Sequence, residues 1–345
     1  GWALGPVGAA TYFVADFGND GNSGLTWADA KLTPKAAIDA AIAAAGDGHE
    51  IVISNGTYTL GATISISERM TVRSLDNNFT TVTLDGEGAR RRIDVRSGAA
   101  NTLIAGITVA GGGGEARGGG IRVAGANTVI SNVLIRNCSV TDRGGGLSMT
   151  SNGRLLDSTI VSNSASSWGG GVDNAAAGLL TLELCLIISN TAPRGAGLML
   201  QGTKTNQVVD TVFRMNYGAD ETCLLYGSGY AVFERCDFID NSKRALAGDY
   251  APMVTNCTFI GNQGGGINLA YASDIVDCTF ISNRVTGSGG GILLAANQTV
   301  DRCILFHNFA SASGGGIHMG GGTVRNALIV GNESAIGGGI RVISS

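Results

Sequence analysis

The segment Cys278-Thr279-Phe280-Ile281-Ser282-Asn283, followed by Gly289-Gly290-Gly291-Ile292, decides the fold because its pattern recurs along the chain. A glycine triplet followed by an aliphatic residue begins at Gly118, Gly144, Gly169, Gly264, Gly289, Gly314 and Gly337, with Gly195-Ala196-Gly197 as a variant. An asparagine recurs upstream of the glycines, at intervals of 21 to 27 residues: Asn137, Asn163, Asn190, Asn216, Asn241, Asn262, Asn283, Asn308 and Asn332. So many units in agreement identify a repeat protein.

Short apolar alternations separated by glycine-rich turns favour a parallel β-solenoid, in which each repeat forms one coil of two or three short strands. Leucine-rich repeats share the period but require a leucine framework, and helical repeats need about 33 residues or more. Successive coils are expected to stack at ~4.8 Å, the spacing of hydrogen-bonded strands. We therefore predict an all-β fold, a single solenoid of about a dozen coils.

The composition excludes several classes of protein. Of the 345 residues, 55 are glycine, 44% are hydrophobic and only 14% are charged, which does not fit intrinsic disorder. The glycines do not follow the three-residue period of collagen. The net charge of −4 and the lack of a basic arm predict no nucleic-acid partner. The longest apolar run, residues 178–188, contains Glu183 and is too short for a membrane span.

Two columns of side chains are expected inside the solenoid. The asparagines suit a turn, and their amides can hydrogen-bond from coil to coil, so we predict a structural ladder that begins at Asn137. Five residues before each asparagine, a second column holds Asn132, Ser158, Cys185, Thr211, Cys236, Cys257, Cys278, Cys303 and Ala327. Parallel side chains one coil apart do not meet disulfide geometry, so these cysteines are predicted to be buried thiols. The histidines His49, His307 and His318 form no metal motif and are expected in surface or turn positions.

The two ends of the chain differ from the repeats. Residues 33–46 predict a helix with Thr33 as N-cap, Pro34 at its first position and Gly46 at its end, and this helix would cap the first coil. We divide the chain into residues 1–50 (N-terminal extension and capping helix), 51–117 (irregular first coils) and 118–345 (regular repeats of the same solenoid). Residues 337–345 stop within a coil, as expected for a fragment of a longer protein, for head-to-tail stacking into a filament, or for an irregular self-capping end.

The repeat resembles a known family. Phe280-x-x-Asn283 with Gly-Gly-Gly-Ile is similar to the Phe-x-x-Asn and Gly-Gly-Ala-Ile motifs of the chlamydial polymorphic outer-membrane proteins and related passenger domains, over residues 118–342. The segment from Tyr12 to Tyr58 resembles the first coil of pectate-lyase-like proteins. Both resemblances imply a right-handed parallel β-helix exported from a bacterium, and neither implies one activity.

Two functions are compatible with this scaffold. The first is a secreted, non-catalytic adhesive or structural element at the cell surface, which binds an extracellular glycan or a host or cell-surface component and can assemble end to end. The second is a polysaccharide lyase or glycoside hydrolase that acts on an extended, anionic glycan. The short turns weigh against catalysis, because catalytic sites usually lie between longer loops.

One stripe of residues is predicted to hold a glycan. The residue before each glycine triplet is Arg117, Arg143, Trp168 and Arg194 on four successive coils, and arginine and tryptophan suit carboxylates, sulfates and sugar rings. The predicted glycan-binding residues are Arg117, Arg122, Arg143, Trp168, Asp173, Arg194 and Tyr217. If the chain is an enzyme, the candidate catalytic residues are Arg143, Asp173, Arg194 and Glu221. A solvated edge of alternating charges explains the same pattern.

A loop near the N-terminus is a calcium candidate. Residues 16–24 place oxygen-bearing side chains at short spacing, namely Asp16, Asn19, Asp20 and Asn22. Asx turns explain the same composition. No other cofactor is expected.

Overall fold

The computed structural model describes residues 8–44, 46–175, 178–227, 229–249, 252–295 and 298–343. It is an all-β parallel solenoid of about 11 turns with one α-helix near the N-terminus, which confirms the predicted fold class. Stacked strands pair in parallel, and the paired positions follow the spacing of the sequence repeat.

Three long sheets run along the solenoid. Sheet 1 consists of Thr11–Val14, His49–Ile53, Met70–Ser74, Leu103–Ala105, Thr128–Ser131, Gly153–Leu156, Leu180–Glu183, Thr205–Val209, Tyr230–Glu234, Met253–Thr255, Asp274–Val276, Thr299–Asp301 and Thr323–Arg325. Sheet 2 consists of Gly56–Thr59, Val82–Asp85, Thr108–Ala110, Leu134–Arg136, Thr159–Val161, Leu186–Ile188, Val212–Arg214, Asp237–Ile239, Thr258–Ile260, Thr279–Ile281, Ile304–Phe306 and Leu328–Val330. Sheet 3 consists of Ile64–Ile66, Ile93–Val95, Ile121–Val123, Leu147–Met149, Val172–Asn174, Leu198–Gly202, Glu221–Gly227, Arg244–Gly248, Ile267–Leu269, Ile292–Leu294, Ile317–Met319 and Ile340–Val342.

Two shorter sheets lie in the connection from sheet 2 to sheet 3. Sheet 4 consists of Glu115–Arg117, Ser139–Arg143, Ser164–Ala165, Thr191–Ala192 and Tyr217–Gly218. Sheet 5 consists of Arg284–Val285, Phe309–Ser313 and Glu333–Ile336.

The inward side chains form one continuous core from Tyr12 to Met319. The middle residue of the three-residue strands of sheet 2 points inward, so that equal residues on neighbouring coils are in contact. Four phenylalanines therefore stack face to face with centroid distances of 5.0, 4.7 and 4.7 Å: Phe213, Phe238, Phe259 and Phe280. This spacing follows that of the hydrogen-bonded strands.

The asparagine ladder is confirmed, with a correction at its start. In Asn163 the main-chain N–H and the side-chain Nδ2 both donate to Oδ1 of Asn190, each at 3.0 Å, and this contact repeats along the column. The first position is Cys138 and not Asn137, because the N–H of Cys138 donates to Oδ1 of Asn163. Asn137 occupies the preceding turn residue, with a φ of 54°.

The same shift of one residue applies to the second column. Asn132 lies at a turn with a φ of 51°, and Val133 takes the inward position in register with Ser158. The five cysteines of the second column are buried and unbridged, as predicted, and so are Cys138 and Cys223. Burial raises the pKa of Cys138 to about 11 and that of Cys185 to about 12, so both thiols remain protonated and act as apolar packing groups.

The helix covers the first coil. It spans Pro34–Ala43, and the hydroxyl of its N-cap Thr33 accepts from the N–H of Ala36 at 3.2 Å. Ala37, Ile38 and Ala41 are buried in the core. The helix ends earlier than predicted, since Ala44 is the C-cap; Ala45, within the predicted range, lies outside the described residues. In the described part of the chain, no helix is long and apolar enough to cross a membrane.

His49 differs from the expectation of a surface or turn position. It begins the second strand of sheet 1, which pairs with the N-terminal strand Thr11–Val14, and it is buried. Its Nδ1 accepts from the N–H of Ala10 at 3.0 Å, and its ring packs edge-on against Tyr12. The side chain is therefore part of the first coil's packing.

Candidate functional site

The residues before the glycine corners form a row along one edge of sheet 3, as predicted. Arg117 pairs in register with Arg143, Arg143 with Trp168, and Trp168 with Arg194. Each is followed by a glycine with positive φ, which lets the chain turn from sheet 4 into sheet 3 without a steric penalty. The Arg143 guanidinium lies 3.7 Å from the centroid of the Trp168 ring, within range for a cation–π contact.

The outward row of sheet 3 is covered where the sequence predicts an open surface. Arg122, Ser148, Asp173 and Met199 follow one another in register, but all except Arg122 are fully buried. The cover is a bridge across the sheet: Arg143 donates to Oε1 of Gln201 at 3.1 Å, and Nε2 of Gln201 donates to Oδ1 of Asp173 at 2.9 Å. Asp173 is therefore not the exposed glycan ligand that its position predicts.

The carboxyl group of Asp173 lies under this bridge, where burial disfavours its ionised form. Burial raises the pKa of Asp173 to about 6, although Arg143 and Arg117 oppose the shift. Its Oδ2 and the hydroxyl of Ser148 have no hydrogen-bond partner among the described residues. A buried carboxyl group with one unpaired oxygen favours its neutral form.

Two coils beyond Asp173, a cavity of about 300 Å³ opens on the same face. Its floor is the outward row, which here consists of Leu224, Ala247 and Asn268. Arg194, Asp220 and Glu221 line one side, and Tyr226 and Asp249 line the other. The volume is at the lower end of the range of small-molecule sites.

Glu221 is the residue of this cavity whose pKa lies near neutrality. Burial raises its pKa to about 7, the charge of Asp220 adds to the shift, and Arg194 and Arg244 oppose it. Arg244 pairs with Glu221 in register on the next coil, and burial lowers the pKa of Arg244 to about 10. A carboxyl group that titrates near neutrality can take up and release a proton under ordinary conditions.

Arg194 lies at the rim of the cavity. Its Nε lies 3.2 Å from Oδ2 of Asp220, and both side chains are about half exposed, so the pair is weak and screened by solvent. A ligand carboxylate can therefore replace Asp220 on the guanidinium at little cost.

The two aromatic candidates differ in their surroundings, because Trp168 packs against another ring and Tyr217 is exposed. Trp168 contacts the ring of Tyr226, with centroids 5.7 Å apart, and the two rings meet over the coil that contains the buried Met199. Tyr217 is 54% exposed on sheet 4 and lies outside the lining of the cavity. Sequence reasoning missed Gln201 and Tyr226; the only signal is that both lie just beyond the usual three-residue length of a sheet 3 strand.

The calcium candidate residues serve to hold their own loop. Oδ1 of Asp20 accepts from the N–H groups of Leu32 and Thr33. Oδ1 of Asn19 accepts from Gly21, whereas Nδ2 of Asn22 donates to a carbonyl, and Asp16 is exposed. Within the described ranges, no group of three or more His, Cys, Asp or Glu side chains is placed to hold a metal ion. The Asx-turn interpretation accounts for Asn19, whose Oδ1 accepts from the N–H two residues further on, whereas Asp20 and Asn22 hold the loop through contacts 8 to 13 residues away.

Comparison with known proteins identifies the family. A family model described as "Right handed beta helix region" matches residues 95–247, 180–309 and 219–345, which together cover residues 95–345. The chain belongs to the right-handed β-helix family. The handedness implied by the resemblance is thus confirmed, whereas the comparisons do not show the finer likeness to outer-membrane passengers. Comparison with curated protein sequences returns no match.

Solved structures share the fold of this β-helix at low identity. The A-module of the mannuronan C-5 epimerase from Azotobacter vinelandii has a TM-score of 0.56 and 15% identity, over 90% of this chain and 94% of that one. A PL6 family alginate lyase has a TM-score of 0.57 and 13% identity, over 97% of this chain and 53% of that one. Identities this low establish the shared fold alone.

Proposed function

We propose that this β-helix binds an extended anionic polysaccharide on the outer face of sheet 3 and acts on it as a lyase at the Glu221 cavity. The observation that carries the proposal is Glu221 itself, a carboxyl group with a pKa raised to about 7 in a cavity that Arg194 also lines. The two solved structures above support the choice of substrate, because their names denote enzymes of mannuronan and alginate, which are uronate polymers.

The proposed reaction is a β-elimination at a uronate residue. Arg194 binds the sugar carboxylate and neutralises it, which acidifies the adjacent C–H group. Ionised Glu221 accepts that proton as a general base. The electron pair of the C–H bond forms a carbon–carbon double bond as the glycosidic C–O bond breaks, and the leaving oxygen takes a proton from the Tyr226 hydroxyl. Both side chains then return to their starting state by proton exchange with water.

The test is the appearance of unsaturated uronate ends when the protein is incubated with polyuronates, followed by ultraviolet absorbance. Glu221→Gln is expected to abolish activity, with a loss of at least about 100-fold, and Arg194→Gln is expected to reduce it. The matched controls Glu183→Gln and Arg154→Gln alter an ion pair on sheet 1 and should leave the rate unchanged. Wild-type rates in Glu221→Gln would overturn the proposed role of this residue.

A second proposal is the non-catalytic adhesive element at the cell surface. It is supported by the Arg143–Gln201 bridge, which closes part of the face that a substrate would occupy. Tight polysaccharide binding with no new chain ends would favour this function over the lyase.

A further inference from the structure

A cluster of arginines lies along the outward row of sheet 3, on the coils that precede the covered section from Ser148 to Met199. It consists of Arg91, Asp94, Arg96 and Arg122, and we call it the Asp94 cluster. Asp94 and Arg122 are register partners on adjacent coils of sheet 3. Nε of Arg96 lies 2.7 Å from Oδ2 of Asp94, and Nη1 of Arg122 and Nη1 of Arg91 lie 3.3 and 3.7 Å from Oδ1.

This cluster contains more positive than negative charge. Three guanidinium groups surround one carboxylate that is only 3% exposed, and Glu115 contacts Arg91 alone, at 3.3 Å. One positive charge therefore remains uncompensated. A cluster elsewhere on the surface shows the balanced alternative, with two acids and two arginines: Asp277, Asp301, Arg302 and Arg325.

The uncompensated charge is available to a ligand. Arg122 uses one nitrogen for Asp94, and its other N–H groups have no protein partner among the described residues. The side chains of Arg122 and Arg96 are 34% and 55% exposed. The buried Asp94 carboxylate holds both guanidinium groups in place, and such preorganised forks suit bidentate binding of a carboxylate or a sulfate.

The cluster is aligned with the cavity. Arg122, Ser148, Asp173, Met199 and Leu224 are consecutive members of the outward row, so four coil steps, ~19 Å, separate Arg122 from the cavity floor. A polymer that lies along the solenoid axis with one sugar in the cavity reaches the cluster several sugars away. A disaccharide bound in the cavity is too short to reach the cluster.

We propose that Arg96 and Arg122 form a distal subsite that binds a carboxylate of the same polyuronate chain. This inference rests on the substrate class of the proposed function and assigns the direction in which the polymer lies. It predicts that affinity depends on chain length, and that the dependence is lost when the two arginines are neutralised.

The test measures binding by calorimetry, with Glu221→Gln as the background so that no substrate is consumed. The double variant Arg96→Gln/Arg122→Gln is expected to weaken binding of a long oligouronide by about tenfold or more, which corresponds to ~1.4 kcal/mol, and to leave disaccharide binding unchanged. Arg154→Gln/Arg214→Gln removes the same net charge from sheets 1 and 2 and is the control. Arg122→Lys should retain part of the affinity, because the charge remains and the fork is lost.

Several outcomes would overturn the subsite. These are an equal loss for both ligand lengths, a loss no larger than in the control, or a sulfated polymer that depends on the two arginines more than the polyuronate does. Folding of each variant is checked by circular dichroism, and Arg122→Lys tests the subsite if the double variant is unstable. Cleavage without this length dependence would reject the subsite alone, whereas length-dependent binding without cleavage would reject the lyase alone.

Discussion

Asp173 illustrates how the solenoid can bury a charge on its outer surface. The residue points outward from sheet 3, yet the Arg143–Gln201 bridge removes it from solvent. Its pKa of about 6, against an ordinary value of 3.8, means that folding favours the protonated form. The stabilisation that goes with this raised pKa is present below about pH 4 and is lost as the pH rises through about 6.

We therefore predict that Asp173→Asn becomes more stable relative to the wild type as the pH rises. Asparagine cannot ionise, so the difference in free energy of unfolding should shift in favour of the variant by about 2 kcal/mol between about pH 4 and pH 7. Denaturant unfolding at a series of pH values measures this shift. Asp274→Asn, at an exposed position of sheet 1, is the control, and a flat difference for Asp173→Asn would contradict the prediction.

The neighbours of Glu221 give the lyase a testable pH dependence. A general base must be ionised, so activity should rise with pH through about 7 and fall about tenfold per pH unit below that. The charge of Asp220 raises the pKa of Glu221 and that of Arg244 lowers it. Asp220→Asn should therefore move the midpoint of the rate profile to lower pH, and Arg244→Gln should move it to higher pH. Shifts in the same direction in both variants would show that Glu221 is not the titrating group.

At the scale of the elements, the glycine corners between sheets 4 and 3 set the stacking of the coils. A Cβ atom on Gly145 would lie 2.4 Å from the carbonyl oxygen of Ser164 and 2.5 Å from that of Gly170. These are main-chain atoms of the neighbouring coil, so they cannot move without separating the strands. The glycine repeat therefore reflects close packing of backbone against backbone.

Gly145→Ala is expected to destabilise the solenoid by about 3 kcal/mol or more, as severe overpacking does. The control is Gly61→Ala, because a Cβ atom at Gly61 meets nothing within 4 Å and the change should lie within about 0.5 kcal/mol. Thermal or denaturant unfolding of the two variants side by side measures the difference. Similar stabilities would mean that the corners can separate more easily than the packing indicates.

The corners also show which part of the structure the sequence could predict. Period and residue type are enough to place Arg143, Trp168 and Arg194 in one row, because a solenoid stacks equal positions. They do not separate Asn137 from Cys138, since asparagine suits both a left-handed turn and the ladder. A register error of one residue therefore follows from local chemistry, and only the hydrogen bonds of the neighbouring coil resolve it.

At the scale of the whole molecule, function depends on contacts that cross the rows. The Arg143–Gln201 bridge joins residues 58 positions apart, and the cavity joins side chains from opposite edges of sheet 3. The repeat predicts the order along the solenoid axis, but not which side chains reach across a coil. For this reason the sequence can name Arg194 and Glu221 as candidates, which stay predictions, but it does not predict the burial of Asp173 or the Arg143–Gln201 contact.

The same architecture predicts where along a polymer the lyase would cut. The repeats are 21 to 27 residues long throughout the regular region, so they leave no room for long loops that would wall off either end of the cavity along the axis. A polysaccharide should therefore reach the cavity from the open face of the solenoid, without first inserting a chain end. The chain then extends past the cavity in both directions along the axis, so cleavage falls on internal bonds. The viscosity of a polyuronate solution is expected to fall well before small products accumulate. Early release of only mono- or disaccharides, with viscosity maintained, would instead require a closed end that the regular coils do not provide.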